Sequence, residues 1–113
     1  MDDVSIPGSD GDGHPLASVE LWSEGPAQIV KVSGELDISN IDSLREALDQ
    51  ITTSPPPAIV FDLCELRFID SSGIALLLTT AHQVPSVQVR QPTPAVRRVI
   101  EITGLTDVLP IEP

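Results

Sequence analysis

The spacing of apolar residues changes from one segment of this chain to the next, and this change limits most strongly what the chain can fold into. Val19 and Leu21 alternate along residues 16–22, a turn-forming segment follows at residues 23–26, and residues 27–32 form a second apolar run. This pattern predicts two strands joined as an antiparallel hairpin. Apolar residues then recur at helical spacing, which predicts a first helix over about residues 40–52 with Ser39 as its cap. The helical positions are Ile41, Leu44, Leu48 and Ile51.

Prolines divide the next part of the chain. Three consecutive prolines at residues 55–57 end the first helix, and the apolar run at residues 58–61 is typical of a strand that is covered on both sides. We predict a connector over residues 63–67. A second helix is expected to begin at residues 70–73 and to end before Pro85.

The C-terminal third is predicted to hold a strand, a helix and a short edge strand. Alternating valines mark the strand at residues 87–89, and a third helix is expected to begin at Thr93 and to end at Gly104. Residues 108–111 complete the order as an edge strand. The whole order predicts a single α/β domain, with a mixed β-sheet that starts as a hairpin and continues through helical crossovers.

The chain has 113 residues, enough for one ordinary domain, and it is strongly acidic. Its 17 acidic and 6 basic residues give a formal net charge of -11, which opposes binding to nucleic acid or to an anionic membrane surface. Residues 1–15 contain four of the acids and no lysine or arginine. We therefore expect a flexible acidic tail at residues 1–15 and a folded domain at residues 16–113.

Cys64 is the only cysteine, so an internal disulfide is excluded, and it has no His or Cys neighbour at metal-ligand spacing. We interpret it as a packing residue. The chain begins Met-Asp-Asp, unlike a secretory signal, and its longest unbroken apolar run, residues 74–78, is too short to span a membrane. These features favour a cytoplasmic protein.

The sequence offers few groups for catalysis. His14 and His82 have no obvious nucleophile or orienting acid beside them, and Lys31 is the only lysine, so a phosphate-binding loop is missing. The segment Ile-Asp-Ser-Ser-Gly at residues 69–73 lacks the first glycine of a nucleophile elbow. We therefore expect no enzymatic activity, no metal and no cofactor.

The serine pair Ser71 and Ser72 has two interpretations. One hydroxyl could cap the second helix while Gly73 relieves crowding. Alternatively, an exposed hydroxyl on the first helical turn could enter a kinase active site, and its phosphate would be favoured by the positive end of the helix dipole. Composition does not decide between the capping role and the phosphorylation role.

Three motifs together resemble the bacterial anti-sigma factor antagonists, a family of STAS-domain proteins. They are Gly-Glu-Leu-Asp at residues 34–37, Phe-Ile-Asp-Ser-Ser-Gly-Ile at residues 68–74, and Pro-Ala-Val-Arg-Arg-Val-Ile at residues 94–100, followed by Gly104. The resemblance covers about residues 16–111, and the Asp-Ser-Ser-Gly segment is its most specific part.

The resemblance assigns roles by position. Ser71 matches the phosphorylated serine of the family, and Asp37 and Asp70 match acids that line the same surface. The implied partner-binding residues are Asp37, Asp70, Ser71, Ser72, Gly73 and Ile74.

The implied function is a partner switch. The unphosphorylated protein would bind an anti-sigma factor with serine kinase activity and so free a sigma factor; phosphorylation would break the complex, and a PP2C-type phosphatase would restore it. ATP would belong to the kinase. The alternatives are a STAS scaffold or transporter-regulating module in which Ser71 only caps a helix, and, with little support, a nucleotide-dependent enzyme.

Two features differ from the usual family pattern. The second helix meets Pro85 early, so we expect a smaller partner surface. Family members usually continue into a further helix, and this sequence ends at Pro113, so two alternatives are open: the helix is missing, or the sequence has been cut before it.

Overall fold

The computed structural model describes residues 17–112 as a two-layer α/β domain. The tail predicted for residues 1–15 lies outside the described residues. In chain order the elements are β1 (Ser18–Glu24), β2 (Ala27–Leu36), α1 (Ile41–Thr53), β3 (Ala58–Ile69), α2 (Ser71–Ala81), β4 (Ser86–Arg90) and α3 (Pro94–Ile102).

The four strands form one mixed sheet in the order β1-β2-β3-β4. β1 and β2 pair antiparallel as the predicted hairpin, and β2, β3 and β4 run parallel. Each parallel step is made through a helix, as crossover connections require. The predicted α/β class, the hairpin and the helical crossovers are confirmed.

One apolar cluster holds the sheet and the helices together. Alternate residues of the central strands contribute Val30, Val32, Ile59 and Phe61, all of them fully buried, and the helices contribute Leu44, Leu77 and Ile100. Ile29 and Val60 point to the other face of the sheet, because side chains alternate along a strand. The helical residues belong to the same cluster as Val30 and Phe61, and Ile29 and Val60 do not belong to it. All three helices therefore pack on the face that holds Val30 and Phe61.

The connector predicted for residues 63–67 is wrong, because β3 continues without a break to Ile69. Its pairing with β2 contains two register shifts, one between Lys31 and Ser33 and one between Gly34 and Glu35, and at each of them β3 holds one extra residue. Such bulges interrupt the alternation of side chains. The core residues here are Leu63, Leu66 and Ile69, spaced by three, which does not resemble a strand period.

Two smaller predictions also differ from the structure, and a third, on Thr93, is confirmed only in part. Asn40, not Ser39, occupies the N-cap position of α1, without a capping hydrogen bond from its side chain. Thr93 is at the N-cap position of α3 as expected, but its hydroxyl donates to the carbonyl of Leu66 at 2.7 Å. The strand expected at residues 108–111 is reduced to a single bridge between Val89 and Ile111.

Within residues 17–112, no helix is long and apolar enough to cross a membrane.

Candidate functional site

The candidate site lies where β2 and β3 end side by side. Leu36 and Ile69 are register partners in these parallel strands, so the next residues, Asp37 and Asp70, leave the sheet at the same edge. The backbone N–H of Asp70 also donates to the carbonyl of Leu36 at 3.1 Å. The carboxyl ends of parallel strands are the usual location of functional sites in open α/β sheets.

The Asp70 carboxylate connects two segments at this edge of the sheet. Its Oδ1 accepts a hydrogen bond from the backbone N–H of Gly73 at 3.1 Å and one from Ser72 Oγ at 2.6 Å. Its Oδ2 accepts from the backbone N–H of Ile38 at 3.2 Å. Asp70 thus ties the start of α2 to the loop that follows β2.

Asp70 is therefore the N-cap of α2, and the interpretation in which Ser71 or Ser72 is the cap is wrong. Aspartate is among the best N-cap residues, and its negative charge is also favoured by the helix dipole. Ser72 contributes as a donor to the cap rather than as the cap itself.

These hydrogen bonds set the ionisation of Asp70. Burial raises the pKa of Asp70, but the hydrogen bonds from the Ser72 hydroxyl and from the backbone N–H of Gly73 lower it, and those from the backbone N–H groups of Ile38 and Ser72 lower it further. The net effect is a pKa below the usual value of 3.8. Asp70 is therefore charged at neutral pH.

The Asp37–Asn40 loop, residues 37–40, is held by its own polar side chains. Asp37 Oδ1 accepts from both the backbone N–H and the hydroxyl of Ser39. Asn40 Oδ1 accepts from the backbone N–H of Asp37 at 3.0 Å, and Asn40 Nδ2 donates to the carbonyl of Glu35 at 2.7 Å. The loop therefore has a defined shape beside Asp70.

Ser71 is the first residue of α2, and its side chain is exposed. Among residues 17–112 its hydroxyl has no hydrogen-bond partner, whereas the hydroxyl of the half-buried Ser72 is bonded to Asp70. Ser71 is thus the accessible member of the serine pair.

Gly73 and Ile74, predicted to belong to the same surface, are buried. A Cβ atom at Gly73 would lie 2.6 Å from Ile69 Cγ1 and 3.0 Å from Leu36 Cδ2. Only glycine therefore allows α2 to begin this close to the ends of both strands. Gly73 and Ile74 position the serines from below and lie in the core.

Two exposed apolar side chains near this edge were missed by the sequence analysis. Ile38 is 76% exposed and belongs to the Asp37–Asn40 loop, and Phe68 is 48% exposed at the penultimate position of β3. A signal for Ile38 is present in the sequence, because an apolar residue between Asp37 and Ser39 in a polar turn has no core position to fill. Exposed apolar groups beside a polar centre are typical of protein contact surfaces.

The wider surroundings offer little for small-molecule chemistry at Ser71. In the described part of the chain, no three His, Cys, Asp or Glu side chains come together as a possible metal site. A cavity of about 300 Å³ lies at the opposite end of the sheet, lined by Leu21, Gln28, Gln50, Ile51, Ser54 and Pro56. The site is thus an open surface with an exposed hydroxyl, two carboxylates and an exposed isoleucine.

Comparison with known proteins identifies the family. The family model described as "Mlab, STAS domain" matches residues 20–110. An anti-sigma F factor antagonist of Paenibacillus polymyxa is 33% identical over 98 residues, which cover 82% of this chain and 84% of the relative. The chain belongs to the STAS-domain family of anti-sigma factor antagonists.

Solved structures agree with this assignment. The crystal structure of an anti-sigma factor antagonist from Mycobacterium paratuberculosis superimposes with a TM-score of 0.80 at 29% identity, over 97% of this chain and 91% of that one. The Bacillus antagonist SpoIIAA shares the fold in its unphosphorylated form, with a TM-score of 0.71 at 21% identity over 85% of this chain and 89% of that one. Its phosphorylated form gives a TM-score of 0.66 at 20% identity over 85% and 92% of the two chains.

Proposed function

We propose that this protein is a non-enzymatic partner switch: it binds an anti-sigma factor with serine kinase activity through the surface around Ser71, and phosphorylation of Ser71 releases it. Binding would sequester the anti-sigma factor and so make a sigma factor available in the cytoplasm. A PP2C-type phosphatase would return the protein to its binding form. The observation that carries the proposal is that Asp70 caps α2, which leaves the Ser71 hydroxyl exposed and free of any bond within the described residues.

The geometry supports Ser71 as a phosphate acceptor that the fold tolerates. Ser71 is exposed at the first position of α2, and the helix dipole favours a negative charge at that position. The carboxylate of Asp70 already satisfies the Gly73 amide, so modification of Ser71 breaks no capping hydrogen bond. Phosphorylation would therefore change the surface without unfolding α2.

Charge explains how phosphate would act on the partner. A phosphoserine adds about -1.5 to -2 charge at neutral pH. It would add to the negative charge that Asp70 and Asp37 already give this surface, on a chain whose net charge is -11. A partner surface that fits the neutral hydroxyl closely would then meet an unpaired, desolvated charge, which costs several kcal/mol.

The exposed Ser71 and the half-buried members of the predicted surface, together with the exposed Ile38, would make the contacts. Asp37, Asp70, Ser71 and Ser72 provide polar groups, and Ile38 provides an apolar one. Gly73 and Ile74 would contribute by fixing the backbone beneath them. The proposal assigns ATP and the catalytic groups to the kinase, and none to this chain.

The test is a titration of the purified kinase-type anti-sigma factor from the same genome with wild-type protein, Ser71→Ala and Ser71→Asp. Wild type and Ser71→Ala should bind, only wild type should accept phosphate, and Ser71→Asp should bind roughly a hundredfold more weakly, since a penalty of about 3 kcal/mol corresponds to that factor. Ser86→Asp is the matched control, because Ser86 is an exposed serine at the opposite end of the sheet.

Two results would contradict the proposal. If Ser71→Asp binds as tightly as wild type, Ser71 lies outside the interface, and a constitutive STAS scaffold or transporter-regulating module becomes the better interpretation. If phosphate mapping finds the modification at another residue, the switch is located elsewhere.

A further inference from the structure

The two adjacent serines differ in what their hydroxyls contact. Ser72 Oγ donates to Asp70 Oδ1 at 2.6 Å, the shortest of the hydrogen bonds that this carboxylate accepts, and the side chain is half-buried. A hydrogen bond from a hydroxyl to a carboxylate is charge-assisted and is stronger than one between neutral groups. Ser71 makes no comparable contact within the described residues.

The contact from Ser72 reaches the Asp37–Asn40 loop through the carboxylate. Asp70 Oδ1 is held from the α2 side, while Oδ2 accepts from the backbone N–H of Ile38. Because the two oxygens share one plane, fixing Oδ1 also fixes the direction in which Oδ2 meets Ile38. The exposed Ile38 side chain and the exposed Ser71 hydroxyl are thereby held in one relative arrangement.

We propose that Ser72 is a positioning residue: its hydroxyl orients the Asp70 carboxylate, which keeps Ile38 and Ser71 in the arrangement that the partner binds, and Ser72 is not itself a phosphate acceptor. This inference rests on the proposed function, since it specifies how the surface around Ser71 is held ready for the anti-sigma factor.

The chemistry of the pair excludes Ser72 as the modified residue. Its hydroxyl would have to leave Asp70 to reach a kinase, and the resulting phosphate dianion would lie directly against the Asp70 carboxylate. Like charges in contact at a partly buried site are strongly unfavourable. Ser71 meets neither obstacle.

The first experiment measures affinity for the purified kinase-type anti-sigma factor. Ser72→Ala should bind roughly tenfold more weakly than wild type, equivalent to about 1.4 kcal/mol, and Ser72→Thr, which keeps a hydroxyl, should recover most of that loss. Thr53→Ala is the control, because it removes an exposed hydroxyl that makes one hydrogen bond of 2.9 Å near the far end of α1. Wild-type affinity in Ser72→Ala would overturn the proposal.

The second experiment uses NMR to follow the Asp70 carboxylate and the Ile38 amide, and it needs no partner. In Ser72→Ala the pKa of Asp70 should rise, because the Ser72 hydroxyl is the largest of the contacts that lower it, and the Ile38 amide should exchange its proton faster than in wild type. A general loss of stability would instead speed exchange across the whole of α2 and the sheet. An unchanged Ile38 amide in a folded Ser72→Ala protein would also overturn the proposal.

The third experiment asks whether Ser72 can replace Ser71. Incubation of Ser71→Ala with the kinase and ATP should leave Ser72 unmodified by mass spectrometry, and phosphate at Ser72 would contradict the assignment. If wild type itself neither binds nor is phosphorylated, the proposed function fails, and the role of Ser72 in orienting Asp70 is then decided by the NMR measurements.

Discussion

The backbone N–H of Ile38 donates a 3.2 Å hydrogen bond to Oδ2 of Asp70, a residue 32 positions away in the sequence. This bond joins the loop after β2 to the N-terminus of α2, although each belongs to a different β-α connection. The parallel pairing of β2 and β3 makes the contact possible, because it brings both connections to the same edge of the sheet. One carboxylate thus organises both halves of the proposed partner surface.

Replacing Asp70 tests how much this carboxylate contributes to stability. Asp70→Ala should lower the free energy of unfolding by about 2 kcal/mol or more, since the loss of an N-cap alone costs about 0.5–2 kcal/mol and the bonds to Ser72 and Ile38 are lost with it. Asp70→Asn keeps an oxygen acceptor and should be less destabilising. Urea denaturation measures both.

Asp49→Ala is the control for Asp70→Ala, because Asp49 is an exposed carboxylate on α1. It should change stability by less than about 0.5 kcal/mol. Equal stabilities for Asp70→Ala and Asp49→Ala would show that the hydrogen bonds accepted by Asp70 contribute nothing to stability.

The depressed pKa of Asp70 predicts a loss of stability in acid. Its folded pKa lies below the usual 3.8, so between the two values the unfolded chain binds more protons than the folded one. The contribution of Asp70 is therefore complete above about pH 4 and is lost as the pH falls through the folded pKa. Unfolding curves between pH 2 and pH 6 should show a steeper decline for wild type than for Asp70→Asn.

Glu24 has a lowered pKa as well, because of its hydrogen bonds to Trp22 and Arg90. It adds an acid-dependent loss of stability that wild type and Asp70→Asn share. The difference between the two proteins thus isolates Asp70. If wild type and Asp70→Asn lose stability in parallel as the pH falls, the lowered pKa of Asp70 makes no contribution to stability.

Gly73→Ala should destabilise the fold although alanine is the better helix former. The new Cβ would lie 2.6 Å from Ile69 Cγ1, and overpacking of this kind typically costs about 1–3 kcal/mol, more than the gain of roughly 1 kcal/mol from helix propensity. Thermal or urea unfolding measures whether Gly73→Ala lowers or raises the stability of the fold. In a double-mutant cycle, Ile69→Ala should offset part of the loss, because it removes the atom that Cβ would meet.

Stability should respond only slightly to changes at Ser71. Ser71→Ala removes no hydrogen bond seen within the described residues, and Ser71→Asp adds a charge that the helix dipole favours by about 0.3–1 kcal/mol. Both variants should melt within a few degrees of wild type by circular dichroism. A large loss in Ser71→Ala would show that the hydroxyl supports the fold, which is the cap interpretation in another form.

The sequence predicted the architecture well where the spacing of apolar residues agreed with the positions of turn-forming and helix-ending residues. The alternation in β1 and β2, the helical spacing in α1 and the prolines at residues 55–57 each indicated the observed element. The second half of β3 was missed because two bulges give Leu63, Leu66 and Ile69 a spacing of three. A bulge depends on how two strands pair, and one strand's sequence does not carry that information.

At the site, the sequence identified the right segments but not which residue in them caps α2 and which hydroxyl stays exposed. Asp70, Ser71 and Ser72 are all good capping residues, so local propensity does not decide which of them is the cap. The choice depends on the Ile38 amide, which comes from the other connection and adds a donor that only the two-oxygen carboxylate can accept together with that of Gly73. The exposure of the Ile38 side chain could be inferred from its polar neighbours, but the hydrogen bond of its amide to Asp70 depends on tertiary structure.

Cys64 provides a prediction about reactivity. The side chain is half-buried in β3, and interaction with the Asp62 carboxylate raises the pKa of its thiol, with burial raising it further. The same carboxylate accepts a hydrogen bond from the Cys64 backbone N–H at 3.1 Å, which keeps it next to the cysteine. Because the thiolate is the reactive form, the folded protein should react with a thiol reagent at pH 7.5 several-fold more slowly than the urea-unfolded chain.

Two variants separate the electrostatic cause from simple burial. Asp62→Asn removes the charge that raises the Cys64 pKa and should speed the reaction of the folded protein. Lys31→Gln should slow it, because the Lys31 ammonium lowers that pKa. The expected changes have opposite signs at two positions paired across β2 and β3, and a difference in access to the reagent alone would not produce both. If the two variants react at the wild-type rate, burial alone controls the thiol.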